Sequence, residues 1–98
     1  MAKWSVLTAR TLKPGSYDDW RGAWEPAEWP EGVTAYILRK AGNPDEVIAF
    51  GFFDGTREEL EAMRPDPDAE AARAAAMAPF IENQLADGVY EVVEVVDG

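Results

Sequence analysis

Residues 46–63 read EVIAFGFFDGTREELEAM, and this stretch decides the fold. Glu46 to Asp54 is rich in valine, isoleucine and phenylalanine, the composition of a β-strand. Side chains alternate across a strand, so Val47 and Phe53 point one way while Ile48, Phe50 and Phe52 point the other. Both faces are apolar. Thr56, with Glu59 three residues later, is a capping-box pattern that opens a short helix running to Met63.

Upstream, Val33 to Ala41 (VTAYILRKA) reads as a second strand, separated from the first by Gly42-Asn43-Pro44-Asp45. Pro44 presets φ, while Asn43 and Asp45 tolerate turn geometry, so the two strands are predicted to form an antiparallel hairpin. Lys3 to Thr11 (KWSVLTART) is a further strand ending at the Pro14-Gly15 turn signal. Ser16 with Asp19 makes a second capping-box pattern, opening a helix over Tyr17 to Trp24. Its Tyr17, Trp20 and Trp24 share one face, and Pro26 ends or bends it.

Downstream, Asp66 caps a long helix with Pro67 at its first position. The alanine-rich run Ala69 to Ala78 continues in this reading through Phe80, Ile81 and Leu85 to a stop near Gly88, with a kink at Pro79. Val89 to Val96 (VYEVVEVV) is then the last strand. The order is β-α-β-β-α-β, a ferredoxin-like α+β fold with a four-stranded antiparallel sheet and helices on one face. The expectation is one domain spanning residues 1–98.

Two helices cover only one face of such a sheet. Tyr36 and Leu38 oppose Val33 and Ile37, and Val93 and Val95 oppose Tyr90, Val92 and Val96, so large apolar side chains remain on the second face. That is a larger patch than a monomer ordinarily leaves wet. A second copy, related by a two-fold axis and packed sheet to sheet, is the expected cover.

The chain has 9 basic and 19 acidic residues, a net charge of −10, and it lacks both cysteine and histidine. That charge repels phosphate backbones and anionic lipid, arguing against nucleic acid and membranes as partners. No segment approaches the roughly 20 apolar residues of a membrane span, and a cytoplasmic location is expected. Disulfides are excluded and a metal centre is poorly supported. Serine–histidine and cysteine–histidine nucleophile systems are excluded too, and no glycine-rich phosphate loop is present.

The pattern resembles the dimeric α/β-barrel superfamily, and within it the antibiotic-biosynthesis-monooxygenase-like domains. The resemblance rests on Val6 to Lys13 followed by Pro14-Gly15, on Trp20 and Trp24, on Pro30-Glu31-Gly32-Val33, on the turn around Pro44, and above all on Val47 to Leu60. It implies a homodimeric α/β barrel with a cavity for a small apolar or aromatic molecule, and cofactor-independent oxygenation, with no cofactor. The chain departs from that family in two places. Members acting on polycyclic aromatics or haem commonly have tryptophan where Phe53 stands, and asparagine near Ala49-Phe50. The haem-degrading branch also needs a histidine, which is absent here. These departures favour the alternative, a non-catalytic dimeric binding or accessory module.

The ligand-pocket candidates are Trp20, Trp24, Tyr36, Phe53, Phe80 and Gln84. Aromatic rings suit a planar apolar ligand, although the same tryptophans serve equally to pack the helix on the sheet. Trp29, next to Pro30, either closes the pocket mouth or covers the loop. Tyr36 offers a hydroxyl to a ligand oxygen, and Gln84, read on the long helix, offers an amide. Arg39 is expected to be an edge charge paired with a carboxylate, and Asn43 a turn residue. Adjacent acids such as Glu58 and Glu59 point apart on a helix, so they are first-turn charges rather than an acid/base pair.

Overall fold

The computed structural model describes residues 2–26, 33–63 and 66–98. The elements in chain order are β1 (Ala2–Leu12), α1 (Tyr17–Trp24), β2 (Thr34–Lys40), β3 (Asn43–Gly55), α2 (Arg57–Ala62), α3 (Pro67–Met77) and β4 (Ile81–Glu91), with a 3₁₀ turn at Ala78–Phe80. β1 and β3 are the spine of the sheet. They pair antiparallel without a register shift from Ala2↔Gly55 to Thr11↔Glu46. β2 adds to the outer side of β3 and β4 to the outer side of β1, giving the order β2-β3-β1-β4. This is the ferredoxin-like split βαβ arrangement.

Directly paired residues share a face, so the register sorts the sheet. Arg10↔Val47, Thr8↔Ala49 and Ile37↔Ala49 lie beneath the helices, while Leu7↔Phe50, Tyr36↔Phe50 and Leu38↔Ile48 lie on the other side. The core forms beneath the helices from Leu12, Trp20, Trp24, Val47, Ala49 and Met77. Tyr17, Ala23, Ala35, Ile37, Phe80 and Ile81 pack around it. Trp20 is fully buried, so the aromatic face expected of α1 is its core face. α1 ends at Trp24, with Glu25 extended ahead of Pro26.

Local chemistry accounts for most boundaries. Thr56 accepts from the Glu59 amide while the Glu59 carboxylate accepts from the Thr56 amide, completing the box at α2. Asp66 accepts from the Ala69 amide at the start of α3, and Pro67 follows it. At α1 the Ser16 side chain makes no cap bond, and the helix starts instead on the Ser16 carbonyl, which accepts from Trp20. The hairpin turn is Ala41-Gly42, tighter than expected: Lys40 already pairs with Asn43, and Gly42 takes φ +83. Asn43 keeps a turn role, its side chain accepting from the Asp45 amide. Asp45 in turn accepts from the Gly15 amide and ties the hairpin to the end of β1.

The last third of the chain differs from the sequence expectation. The long helix stops at Met77, not near Gly88, and Ile81 to Leu85 belong to β4. Pro79 ends the helix rather than kinking it, since it lacks the N–H and clashes with the preceding turn. β1 then captures the chain: Leu12 pairs with Ile81, Thr11 with Asn83 and Arg10 with Gln84. The strand expected at Val89 to Val96 begins eight residues earlier and ends at Glu91. Pairing stops where β1 stops, with the Val92 amide donating to the Lys3 carbonyl as its last rung. Val93, Val95 and Val96 are left exposed. The expectations for Trp29 and for Pro30-Glu31-Gly32 lie outside the described residues.

Thr56→Ala removes one half of the reciprocal cap on α2. It is expected to lower unfolding stability by about 1 kcal/mol in urea titrations, whereas Ser16→Ala, lacking such a bond, changes stability by less than about 0.5 kcal/mol.

Candidate functional site

The six pocket candidates separate into three places. Trp20, Trp24 and Phe80 come together beneath the helices. Gln84 joins them from β4, reaching the cluster through Arg10 and Met77. Tyr36 lies on the opposite face of the sheet, half exposed, with its ring stacked on Phe50 at 5.3 Å. Phe53 faces the helix side but stands four residues along β3 from Ala49, about 13 Å at the rise of a strand. There it packs against Gly55, where a Cβ would come within 2.9 Å of its ring and the backbone φ of +154 strains a larger residue, so both favour glycine. Tyr36 and the tryptophans therefore do not serve one cavity.

Arg10, which sequence reasoning did not single out, occupies the centre of the helix-side group. It sits two residues from the end of β1 with 8% of its surface exposed. Its Nε donates to Gln84 Oε1 at 3.0 Å and its Nη1 approaches Met77 Sδ at 3.9 Å. Gln84 is held in turn, its Nε2 donating to the Ala86 carbonyl at 2.8 Å. Arg39, expected as an edge charge beside a carboxylate, instead lies over the Tyr17 ring at 4.8 Å.

Burial lowers the pKa of Arg10 from its ordinary value, the nearby Asp87 carboxylate raises it, and the Arg73 guanidinium lowers it. Arg73 lies over the Trp24 ring at 5.3 Å, donates to the Trp24 carbonyl, and pairs with Glu70 at 3.4 Å. The site thus has an aromatic wall from α1, a methionine and an arginine from α3, and an arginine–glutamine pair from the sheet. The Trp20 indole Nε1 is buried without a hydrogen-bond partner among the described residues. No group of three acidic side chains suited to a metal occurs among those residues.

The second feature is the uncovered sheet face. Tyr36, Phe50 and Phe52 form a continuous aromatic row, with Phe50 and Phe52 edge to face at 5.5 Å. Leu38 and Ile48 extend it into an open groove also lined by Arg39, Lys40 and Glu46. Ser5, paired with Phe52 on one side and Tyr90 on the other, has its hydroxyl buried without a partner among the described residues.

No protein-family model matches the chain, and no curated protein sequence does. Solved structures do match. A protein of Chloroflexus aurantiacus, 20% identical, superposes with a TM-score of 0.66 over 98% of this chain and 96% of its own. One from Caulobacter crescentus, 13% identical, gives 0.68 over 97% and 92%. One from Bordetella bronchiseptica, 14% identical, gives 0.58 over 98% and 100%. Each is provisionally named an antibiotic biosynthesis monooxygenase. The fold class is thus a ferredoxin-like α+β sheet covered on one side. More narrowly, it is the fold that these three structures share. No helix among the described residues is long and apolar enough to cross a membrane.

Gln84→Leu leaves the buried Arg10 Nε–H without its acceptor. It is expected to destabilise the chain by about 1–3 kcal/mol in urea unfolding, the cost of an unsatisfied buried donor, although Gln84 itself is largely exposed.

Proposed function

We propose that this chain is a homodimeric domain that binds a small apolar or aromatic molecule between its sheet and helices, and that the dimer forms through the uncovered sheet face. The single observation that carries the pairing is the aromatic row Tyr36–Phe50–Phe52 on the sheet face opposite the core that α1 and α3 cover. The chain's accessible surface, 6736 Å², exceeds the roughly 5,500 Å² of a compact protein of 10.8 kDa. The surplus is larger than the ~800 Å² that each partner buries in a standard interface. A two-fold copy places the same row against itself and gives a stacked sheet pair of ordinary spacing.

The ligand reading draws on the helix-side group, where aromatic walls surround a few convergent polar atoms. The names of the similar structures suggest the reaction class, monooxygenation, and the resemblance read in the sequence implies that no cofactor takes part. In that chemistry an electron-rich substrate itself reduces dioxygen. One oxygen enters the product, the other leaves as water, and the protein positions and desolvates the substrate. The complete burial of Trp20 favours a second reading, in which the space is filled and the dimer is a binding or accessory module without catalysis.

Sedimentation at micromolar concentration is expected to show a dimer, and Phe50→Glu, which puts a charge into the middle of the row, a folded monomer. A monomeric wild-type chain would sink the pairing. Dioxygen uptake with hydroquinone-type substrates and no added cofactor separates the two readings. Uptake that Trp24→Ala diminishes supports an oxygenase. No uptake above the buffer rate, with a stable dimer, supports the accessory module.

A further inference from the structure

A buried guanidinium is ordinarily matched by a carboxylate, because an unpaired charge in a low-dielectric interior is costly. Arg10 departs from that rule. It is more than nine-tenths buried, and no ion pair within 4.0 Å involves it among the described residues. Its two polar contacts are a neutral amide oxygen and a thioether sulfur, the latter a weak acceptor. A guanidinium carries five N–H donors, so the fork remains largely unused. None of its nitrogens is among the atoms sealed from solvent without a partner, which places the free end at an accessible spot.

The surroundings offset the charge of Arg10 only in part, through Asp87, with Arg73 acting the other way as the smaller influence. Arg73 stands near enough to act electrostatically on Arg10. Glu70 is committed to Arg73, and Asp87, the carboxylate that acts on Arg10, is exposed and forms no ion pair with it. Two arginines thus stand near two carboxylates, and among the described residues Arg10 is the arginine of the two left without a direct ion pair. It adjoins the tryptophans, since Met77 touches Arg10 and belongs to the cluster of Trp20 and Trp24.

We infer that the molecule bound between sheet and helices is an aromatic carboxylate, its ring against the Trp24 side and its carboxylate accepting from the free fork of Arg10. The inference rests on the ligand reading above and specifies its chemistry. A planar fork matches a carboxylate's two oxygens, and such charge-assisted bonds are the stronger kind. Gln84 is a positioning residue: by occupying Nε it orients the remaining N–H groups.

The test compares 1-naphthoate with its neutral isostere 1-naphthalenemethanol by calorimetry. The side-chain signals of Arg10 Nε–H and Gln84 are followed by nuclear magnetic resonance. The wild-type chain is expected to bind naphthoate about tenfold or more tightly than the alcohol, with both signals moving on naphthoate. Arg10→Met, an apolar replacement of a kind cores accept, is expected to abolish that preference, so that the two probes bind alike. Asp87→Asn, at an exposed position, removes a competing carboxylate and is expected to raise naphthoate affinity about threefold. Equal affinity of the wild-type chain for both probes overturns the inference while the ligand site stands. So does naphthoate binding that leaves the Arg10 signal unmoved. Failure of both probes to bind overturns the ligand site and the inference with it.

Discussion

Everything in this molecule depends on the unbroken pairing of β1 with β3. Ten consecutive rungs, Ala2↔Gly55 to Thr11↔Glu46, hold two strands whose side chains are apolar on both faces. Because the register has no slip, one set of side chains (Val47, Ala49, Leu12) is committed to the helices. The alternate set (Ile48, Phe50, Phe52) is committed to the opposite face. A slip of one residue would exchange them wholesale. The helices satisfy the first set only. The second set is what makes a partner physically reasonable, and the same backbone pairing aims Arg10 into the interior.

The same constraint separates packing from chemistry. The end of the sheet nearest Leu12 is closed by the two tryptophans, Met77 and Phe80. Toward the other end of the helix-facing side the cover thins, and Val6 is 49% exposed there. Arg10 stands between the closed end and the thinner one. A cation at that boundary can be desolvated enough to be strong and still be reached from solvent, the condition a binding group needs. Had it stood at the position of Leu12 it would be sealed, and at Val6 it would be hydrated.

Several departures from the sequence expectation have one cause, which is that strand pairing overrode local preference. Residues 81–88 (IENQLADG) carry few β-formers, yet they form an edge strand because β1 offers a free row of backbone donors and acceptors. Residues 92–96 (VVEVV) are far better β-formers, yet they stay outside the sheet, because β1 extends no further than the Lys3 rung. Propensity is a weak prior beside a ladder of backbone hydrogen bonds, and Gln84 moved from a helix to a strand on that account. The caps fared differently at different sites. Thr56 and Asp66 act locally as their side chains dictate, whereas Ser16 leaves its hydroxyl unused.

The amino-acid order alone determined the β-α-β-β-α-β succession, the hairpin around Gly42, the caps at Thr56 and Asp66, and the two-sided greasiness of β3. These are properties of neighbouring residues: turn chemistry, capping and alternation act over a few positions and need no distant partner. Tertiary structure alone decided where β4 begins, that Tyr36 and the tryptophans stand on opposite faces, and that Arg10 is buried beside Gln84, 74 positions away in the chain. Those outcomes depend on which strand lies alongside which, and an arginine in an ordinary strand sequence carries no local mark of the neighbours that will desolvate it.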